Sequence, residues 1–172
     1  METEALSVAV VMQRTALANR WQPYAWKPIE LSIGMPVPGN SARCLRSEES
    51  DTRWLFGGFE VRLYTDEAEG YFLNIDSPLP CWFVMWRIED IDGTEVAVPK
   101  QVTLSYNEAA RLMDGGERVD TLPAPAEIIE HLQRFVAQHY RPEVKKKRRK
   151  PSFEGGAGVA QMAAEEGKQH GS

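Results

Sequence analysis

The run Cys81-Trp-Phe-Val-Met-Trp-Arg-Ile88 decides the fold. It follows the breaker Ser77-Pro78-Leu79-Pro80 and is apolar at odd and even positions alike until Arg87. Successive side chains of a strand point to opposite faces, so this pattern predicts a central strand covered on both sides. C-terminal to it, Asp90 to Thr94 carries Gly93 and reads as a turn. Val96 and Val98, then Val102 and Leu104, read as short strands interrupted by Pro99.

N-terminal to the central run, Phe59, Val61 and Leu63 alternate with Glu60, Arg62 and Tyr64, the signature of a half-buried strand. Thr65-Asp-Glu-Ala-Glu-Gly70 reads as a polar turn, after which Tyr71, Leu73 and Ile75 resume the alternation. Residues 55–64 and 70–76 are therefore expected to pair as a hairpin. Farther out, the β-branched stretch 6–15 predicts a first strand and Asn19-Arg20 a turn. Lys27–Ile33 reads as a second strand, reached through an irregular segment from Trp21 to Trp26. Gly34–Asp51, about 18 residues without periodicity, reads as a loop. Gly57-Gly58 precedes a strand and marks a bend or bulge.

Helices are expected only at the C-terminal end. Ser105-Tyr-Asn-Glu108 has capping-box spacing, and the helix from Tyr106 to Met113 stops at Asp114-Gly-Gly116. A second helix starts near Pro125, carries the stripe Ile128, Ile129, Leu132, Phe135 and Val136, and ends at Arg141-Pro142. The expected fold class is α+β: an antiparallel β-sheet or small barrel of six or seven strands closed by C-terminal helices. A pleckstrin-homology-like barrel fits the element order by analogy. Residues 1–142 form this domain, and 143–172, rich in Lys, Arg, Gly, Ala and Glu, is expected to be a disordered tail.

The 172 residues are 42% hydrophobic and 26% charged, an ordinary globular balance with five Trp and six Phe to anchor a core. The net charge is −5, and the run Lys145-Lys146-Lys147-Arg148-Arg149-Lys150 supplies six positive charges. The four charged residues after it net two negative charges, which leaves −9 on residues 1–144. An acidic body repels phosphate backbones, so nucleic acid is an unfavoured partner. The basic run reads as a solvating tail, or as electrostatic attraction to an acidic protein, an anionic membrane surface or nucleic acid. It lacks the interleaved aromatics of single-strand binders.

No stretch is long and apolar enough to span a bilayer, and the acidic Met1-Glu-Thr-Glu start lacks signal-peptide features. The expected location is the cytoplasm. Cys44 and Cys81 are therefore expected to be free thiols, since cytosolic proteins rarely keep disulfides.

No catalytic residue, metal-ligand set or cofactor motif can be assigned. His131 and His139 sit eight apart, about 80° round a helix, away from the one-turn spacing of paired ligands. Gly57-Gly58 and Gly115-Gly116 fit no phosphate-loop pattern. The acids at 66–69, 90 and 92 lack calcium-loop offsets and read first as solvated turns. A polar turn does not need three acids, however, which makes Asp66, Glu67 and Glu69 candidate partner contacts. Trp21, Tyr24 and Trp26 read as core anchors or as a partly exposed aromatic patch. Trp and Tyr are favoured interface anchors, so Trp21 and Trp26 join the partner-contact candidates with Lys145, Lys146, Lys147, Arg148, Arg149 and Lys150. Arg87, in an apolar strand, is expected to be buried and to need an anion, either Glu60 on a neighbouring strand or a ligand phosphate.

Several separated motifs carry a family resemblance: Val10-Val-Met-Gln-Arg14, Ala18-Asn-Arg-Trp-Gln22, Gly57-Gly-Phe-Glu60 and Thr65-Asp-Glu-Ala-Glu-Gly-Tyr71. Phe83-Val-Met-Trp-Arg87, Val102-Thr-Leu-Ser-Tyr-Asn-Glu-Ala-Ala110, Met113-Asp-Gly-Gly-Glu117, Glu127-Ile128 and His139-Tyr-Arg-Pro142 continue it. Over about residues 8–153 the chain resembles a bacterial family of unknown function whose genes often lie beside those of molybdenum-dependent formate dehydrogenase. The resemblance implies no catalytic residues. It implies an accessory role in making, loading or regulating that dehydrogenase, with a dehydrogenase subunit or maturation factor as protein partner. The competing expectation is a small-molecule binder or enzyme of the molybdenum cofactor pathway, acting for example on a molybdopterin precursor.

Overall fold

Trp82, Val84 and Trp86 alternate along one strand and point into the main core, while Cys81 and Phe83 point the other way. In a computed structural model, which describes residues 5–34 and 42–142, that strand is the middle of a three-stranded antiparallel sheet. The elements run β1 (Leu6–Ala16), β2 (Tyr24–Ile33), β3 (Ala42–Glu48), β4 (Asp51–Val61), a 3-10 turn (Thr65–Glu67) and α1 (Ala68–Ile75). β5 (Cys81–Ile91), β6 (Thr94–Thr103), α2 (Tyr106–Asp114), β7 (Arg118–Pro123) and α3 (Ala126–His139) follow. One sheet has the order β2-β1-β4-β3 and the other β6-β5-β7, both antiparallel.

The core explains this order. Val8, Val10 and Met12 of β1, at strand period, share one buried cluster with Trp82, Val84 and Trp86 of β5. Ile128, Leu132 and Phe135 of α3 and Ala68 and Tyr71 of α1 complete it. The opposite face of β5 is covered by α2, where Ala109 is fully buried against Cys81 and Phe83. β5 is thus covered on both sides, as its continuous apolar run predicts. Burial raises the Cys81 thiol to about 11, and both cysteines are free, with Cys44 exposed.

Prolines and glycines fall where the ladder can accept them. Pro28 and Pro99 lie on the sheet-edge strands β2 and β6, each beside a register shift. Gly57 and Gly58 form the bulge that lets Val8 pair with Phe59 and Val10 with Phe56. Asp92 and Gly93, with φ of 51° and 87°, close the two-residue β5–β6 turn, where the Gly93 N–H donates to Asp90 Oδ1 at 2.8 Å. Pro99 therefore does not split β6, which is one continuous strand.

Several expectations are corrected. Residues 70–76 are not a strand paired with 55–64, because α1 occupies Ala68–Ile75 in the middle of the chain. Tyr71 meets Phe135 edge-on at 5.5 Å, and its neighbour Phe72 stacks on Tyr140 at 4.9 Å. A strand would send adjacent side chains to opposite faces, whereas a helix lets both reach α3. Of the alternating Tyr71, Leu73 and Ile75, the helix turns Tyr71 and Ile75 to the core with Ala68 and leaves Leu73 off that stripe.

Gly34–Asp51 is not all loop. β3 pairs along β4, yet every residue of β3 is exposed, so it leaves no burial pattern in the sequence. β7 pairs with β5 in a stretch that the sequence leaves unassigned. The two sheets do not close into a barrel. The Ser105 cap forms, with its Oγ accepting from the Glu108 N–H at 3.0 Å. Glu108 does not reach back to the Ser105 N–H; its carboxylate accepts from Thr103 Oγ1 and Gln101 Nε2 at 2.6 and 2.7 Å.

The described residues up to Tyr140 form one compact unit, and beyond it only Arg141 and Pro142 are described. The tail expected over 143–172, including Lys145 to Lys150, lies outside the described residues. No helix among the described residues is long and apolar enough to cross a membrane.

Candidate arginine–aromatic cleft

β2 lies against β7, and a cleft of about 930 Å³ opens between strands of the two sheets. β1 supplies Arg14, whose cross-strand neighbours are Trp26 on β2 and Thr52 on β4. The Arg14 guanidinium lies 3.9 Å over the Tyr24 ring, and its Nη2 reaches Thr52 Oγ1 at 3.4 Å. Its Nε is buried without a hydrogen-bond partner. On the facing sheet, Arg118 of β7 is paired with Trp86 of β5, and its guanidinium lies 5.0 Å over the indole. The Trp86 indole N–H donates to Asp120 Oδ2 at 2.7 Å. Arg14, Tyr24, Trp26, Trp86, Arg118 and Asp120 all line the cleft.

Five arginines outside the cleft pair with carboxylates, while Arg20 stacks on Trp21 instead. Arg46 and Arg53 pair with Asp51, Arg62 with Glu60, Arg87 with Glu117 and Arg111 with Glu67. Arg14 and Arg118 have no carboxylate partner among the described residues. Stacking on rings leaves the in-plane N–H edges of a guanidinium available for oxygen acceptors.

The β1–β2 loop continues this surface. The Leu17 N–H donates to the Pro23 carbonyl at 2.7 Å, and Asn19 Oδ1 accepts from the N–H groups of Trp21 and Gln22 at 2.8 and 3.3 Å. The bonded turn holds Trp21 with 82% of its surface exposed, and the next two residues, Gln22 and Pro23, line the cleft. Trp21 is therefore not a core anchor. Trp26 is half-buried, packed on the core and part of the cleft wall.

The acidic candidates sit elsewhere, against the first turn of α2. Glu67 accepts from Ser105 Oγ at 2.6 Å and from Arg111 Nη2 at 2.7 Å. That pairing holds the Arg111 guanidinium more strongly protonated than usual. Glu69 accepts from Asn107 at 3.4 Å, and Asp66 is exposed. Two of the three acids thus have partners within the fold. Arg87 is not buried: about half of its side chain is exposed, and it forms a two-pronged pair with Glu117 at 3.0 and 2.6 Å instead of meeting Glu60. Glu117 is held below its usual range by that pair. Burial lowers His131, with the Arg134 charge adding to the effect, and His139 packs 4.4 Å from Phe135. No cluster of three or more His, Cys, Asp or Glu among the described residues could hold a metal.

Nothing in the sequence singles out Arg14, Arg118 and Asp120 as a group, because they sit on different sheets that meet only in the folded chain. Tyr24 and Trp26 are signalled by aromatic clustering alone.

The chain belongs to DUF3305, a protein family of unknown function, whose model matches residues 7–149. No curated protein and no solved structure matches it.

Proposed function

We propose that this chain is a non-enzymatic accessory protein that binds another protein during assembly or regulation of a molybdenum formate dehydrogenase. The observation that carries the binding role is Trp21: a large side chain 82% exposed, on a hydrogen-bonded turn beside a cleft. A rigid exposed Trp supplies contact area at little entropic cost, the property of a binding anchor. Exposed Leu17 and Ile88 add apolar surface on the same loop and on the cleft wall. The dehydrogenase as partner is supported by the resemblance to a family whose genes neighbour those of that enzyme.

The test is affinity capture of the chromosomally tagged protein, read by mass spectrometry, with wild type and Trp21→Ala in parallel. Recovery of a formate dehydrogenase subunit or maturation factor by wild type, lost in the variant, is the expected result. Equal recovery by both proteins removes Trp21 from the role, and recovery of neither partner by wild type removes the proposal. A second reading, small-molecule binding, is favoured by the two arginines of the cleft that lack carboxylates.

A further inference from the structure

The geometry points to the Arg14–Arg118 cleft as a binding site for a planar heteroaromatic phosphate of nucleotide size. The site adjoins the Trp21 surface, but the inference does not rest on the protein-partner role of Trp21.

Three features define the ligand. The first is charge: neither guanidinium group of the cleft is paired with a carboxylate, although Glu95 and Asp120 also line it, in a chain whose first 144 residues net −9. Elsewhere several arginines are neutralised, as at Asp51, Glu67 and Glu117. A phosphate matches the fork of such a guanidinium through paired charge-assisted hydrogen bonds. Arg14 also keeps a buried Nε without a partner.

The second is shape. Tyr24 and Trp26 are half-buried on the cleft wall, with one face of Tyr24 under Arg14 and Trp86 buried beneath Arg118, and about 930 Å³ is in the range of small-molecule sites. A planar ring system can stack on Trp26 or on the outer faces of the two guanidinium groups, contacts that a sugar or aliphatic anion lacks.

The third is hydrogen-bond polarity. Asp120 commits Oδ2 to the Trp86 indole, and its Oδ1 has no partner among the described residues. That oxygen can accept an N–H from a heterocycle edge, while Trp86, held by Asp120 and capped by Arg118, keeps its orientation. A ligand with ring N–H donors and an anionic group therefore satisfies all three features together. Inorganic phosphate or a neutral nucleoside satisfies only part of them.

The test uses the full chain and tryptophan fluorescence, with guanosine 5′-monophosphate as probe because its ring edge presents N–H donors. Guanosine and inorganic phosphate serve as the two partial ligands. Saturable quenching by the monophosphate is expected, with each partial ligand at least about tenfold weaker, as expected when one set of charge-assisted contacts or the stacked ring is removed. Arg118 is exposed, so Arg118→Ala should fold as wild type, which circular dichroism checks, and bind the monophosphate about tenfold or more weaker. No quenching by the monophosphate at millimolar concentration overturns the inference. So does unchanged affinity in Arg118→Ala, or a partial ligand that binds as tightly as the monophosphate.

Discussion

Asn74 and Cys81 are joined by a reciprocal pair of hydrogen bonds: Asn74 Nδ2 donates to the Cys81 carbonyl at 2.8 Å, and Asn74 Oδ1 accepts from the Cys81 N–H at 3.0 Å. The same Nδ2 donates to the Leu104 carbonyl at 2.9 Å. One side chain, 2% exposed, thus ties the end of α1 to the first residue of β5 and to the chain just past β6. It satisfies three backbone groups where two strands end, a job that water does on an open surface.

Asn74→Ala leaves the Cys81 N–H and two carbonyls without this partner. At about 1–3 kcal/mol per buried unsatisfied group, partly recovered by relaxation, the expected loss is about 3 kcal/mol. Urea unfolding measures it, and a loss below about 1 kcal/mol would show that the clasp contributes little.

Gly70 lies on α1 against the cap of α2. A Cβ there would overlap Ser105 Oγ and come within 3.2 Å of the Asn107 N. Ser105 cannot yield freely, because it is 0% exposed and its Oγ is shared between Glu67 and the Glu108 N–H. Gly70→Ala should therefore destabilise by about 1–3 kcal/mol, against the usual gain from replacing a helical glycine. Thermal unfolding decides the sign.

Asp51 accepts from Arg53, Gln13 and Arg46. The hydrogen bonds from Arg53 and then Gln13 lower its carboxyl from 3.8 to about 2. A carboxyl depressed on folding stabilises the fold above its unfolded value and loses that contribution as pH falls through its folded value. Stability should therefore decline from about pH 4 toward about 2, with a shallower decline in Asp51→Asn. Identical slopes in urea titrations across that window would show that the pairing does not persist in solution.

The Arg87–Glu117 pair is short but open to water, with side chains 51% and 26% exposed. Exposed ion pairs contribute little, so Arg87→Ala should leave the urea midpoint close to that of wild type. A large drop in midpoint would restore the buried, ligand-demanding arginine that its apolar neighbours suggest.

Trp21→Ala should leave stability within about 0.5 kcal/mol, because the ring touches no core cluster and the turn bonds run through Asn19 and the backbone. Unfolding of this variant alongside wild type separates loss of a partner contact from loss of the fold. A clear drop in midpoint would place Trp21 among the structural residues.

Legibility followed burial. α3 presents a buried stripe with its own period, Ile128, Leu132 and Phe135, while β1 is marked by β-branched residues, β5 by a continuous apolar run and α2 by its cap, so each is announced by neighbours in the chain. β3 has no buried face and therefore no period, and only its hydrogen bonds to β4 make it a strand. α1 failed differently. Eight residues are too few to separate a helical stripe from alternation, and contact with α3 settles the matter. For the candidate sites, exposure of Trp21 was open to argument from its proline-broken setting, whereas Arg14 and Arg118 are more than a hundred residues apart in the chain.

The sequence by itself determined the α+β class, the doubly covered central strand, the Ser105 cap, the Gly57-Gly58 bulge and the acidic character of the body. Each rests on short-range periodicity or backbone chemistry that neighbours in the chain supply. Tertiary structure alone decided that Thr65–Ile75 is helical, that Arg87 faces water, and that Arg14 and Arg118 share a cleft. Those outcomes depend on which surfaces meet when two sheets and three helices bury one core, and strand partners distant in sequence set that meeting.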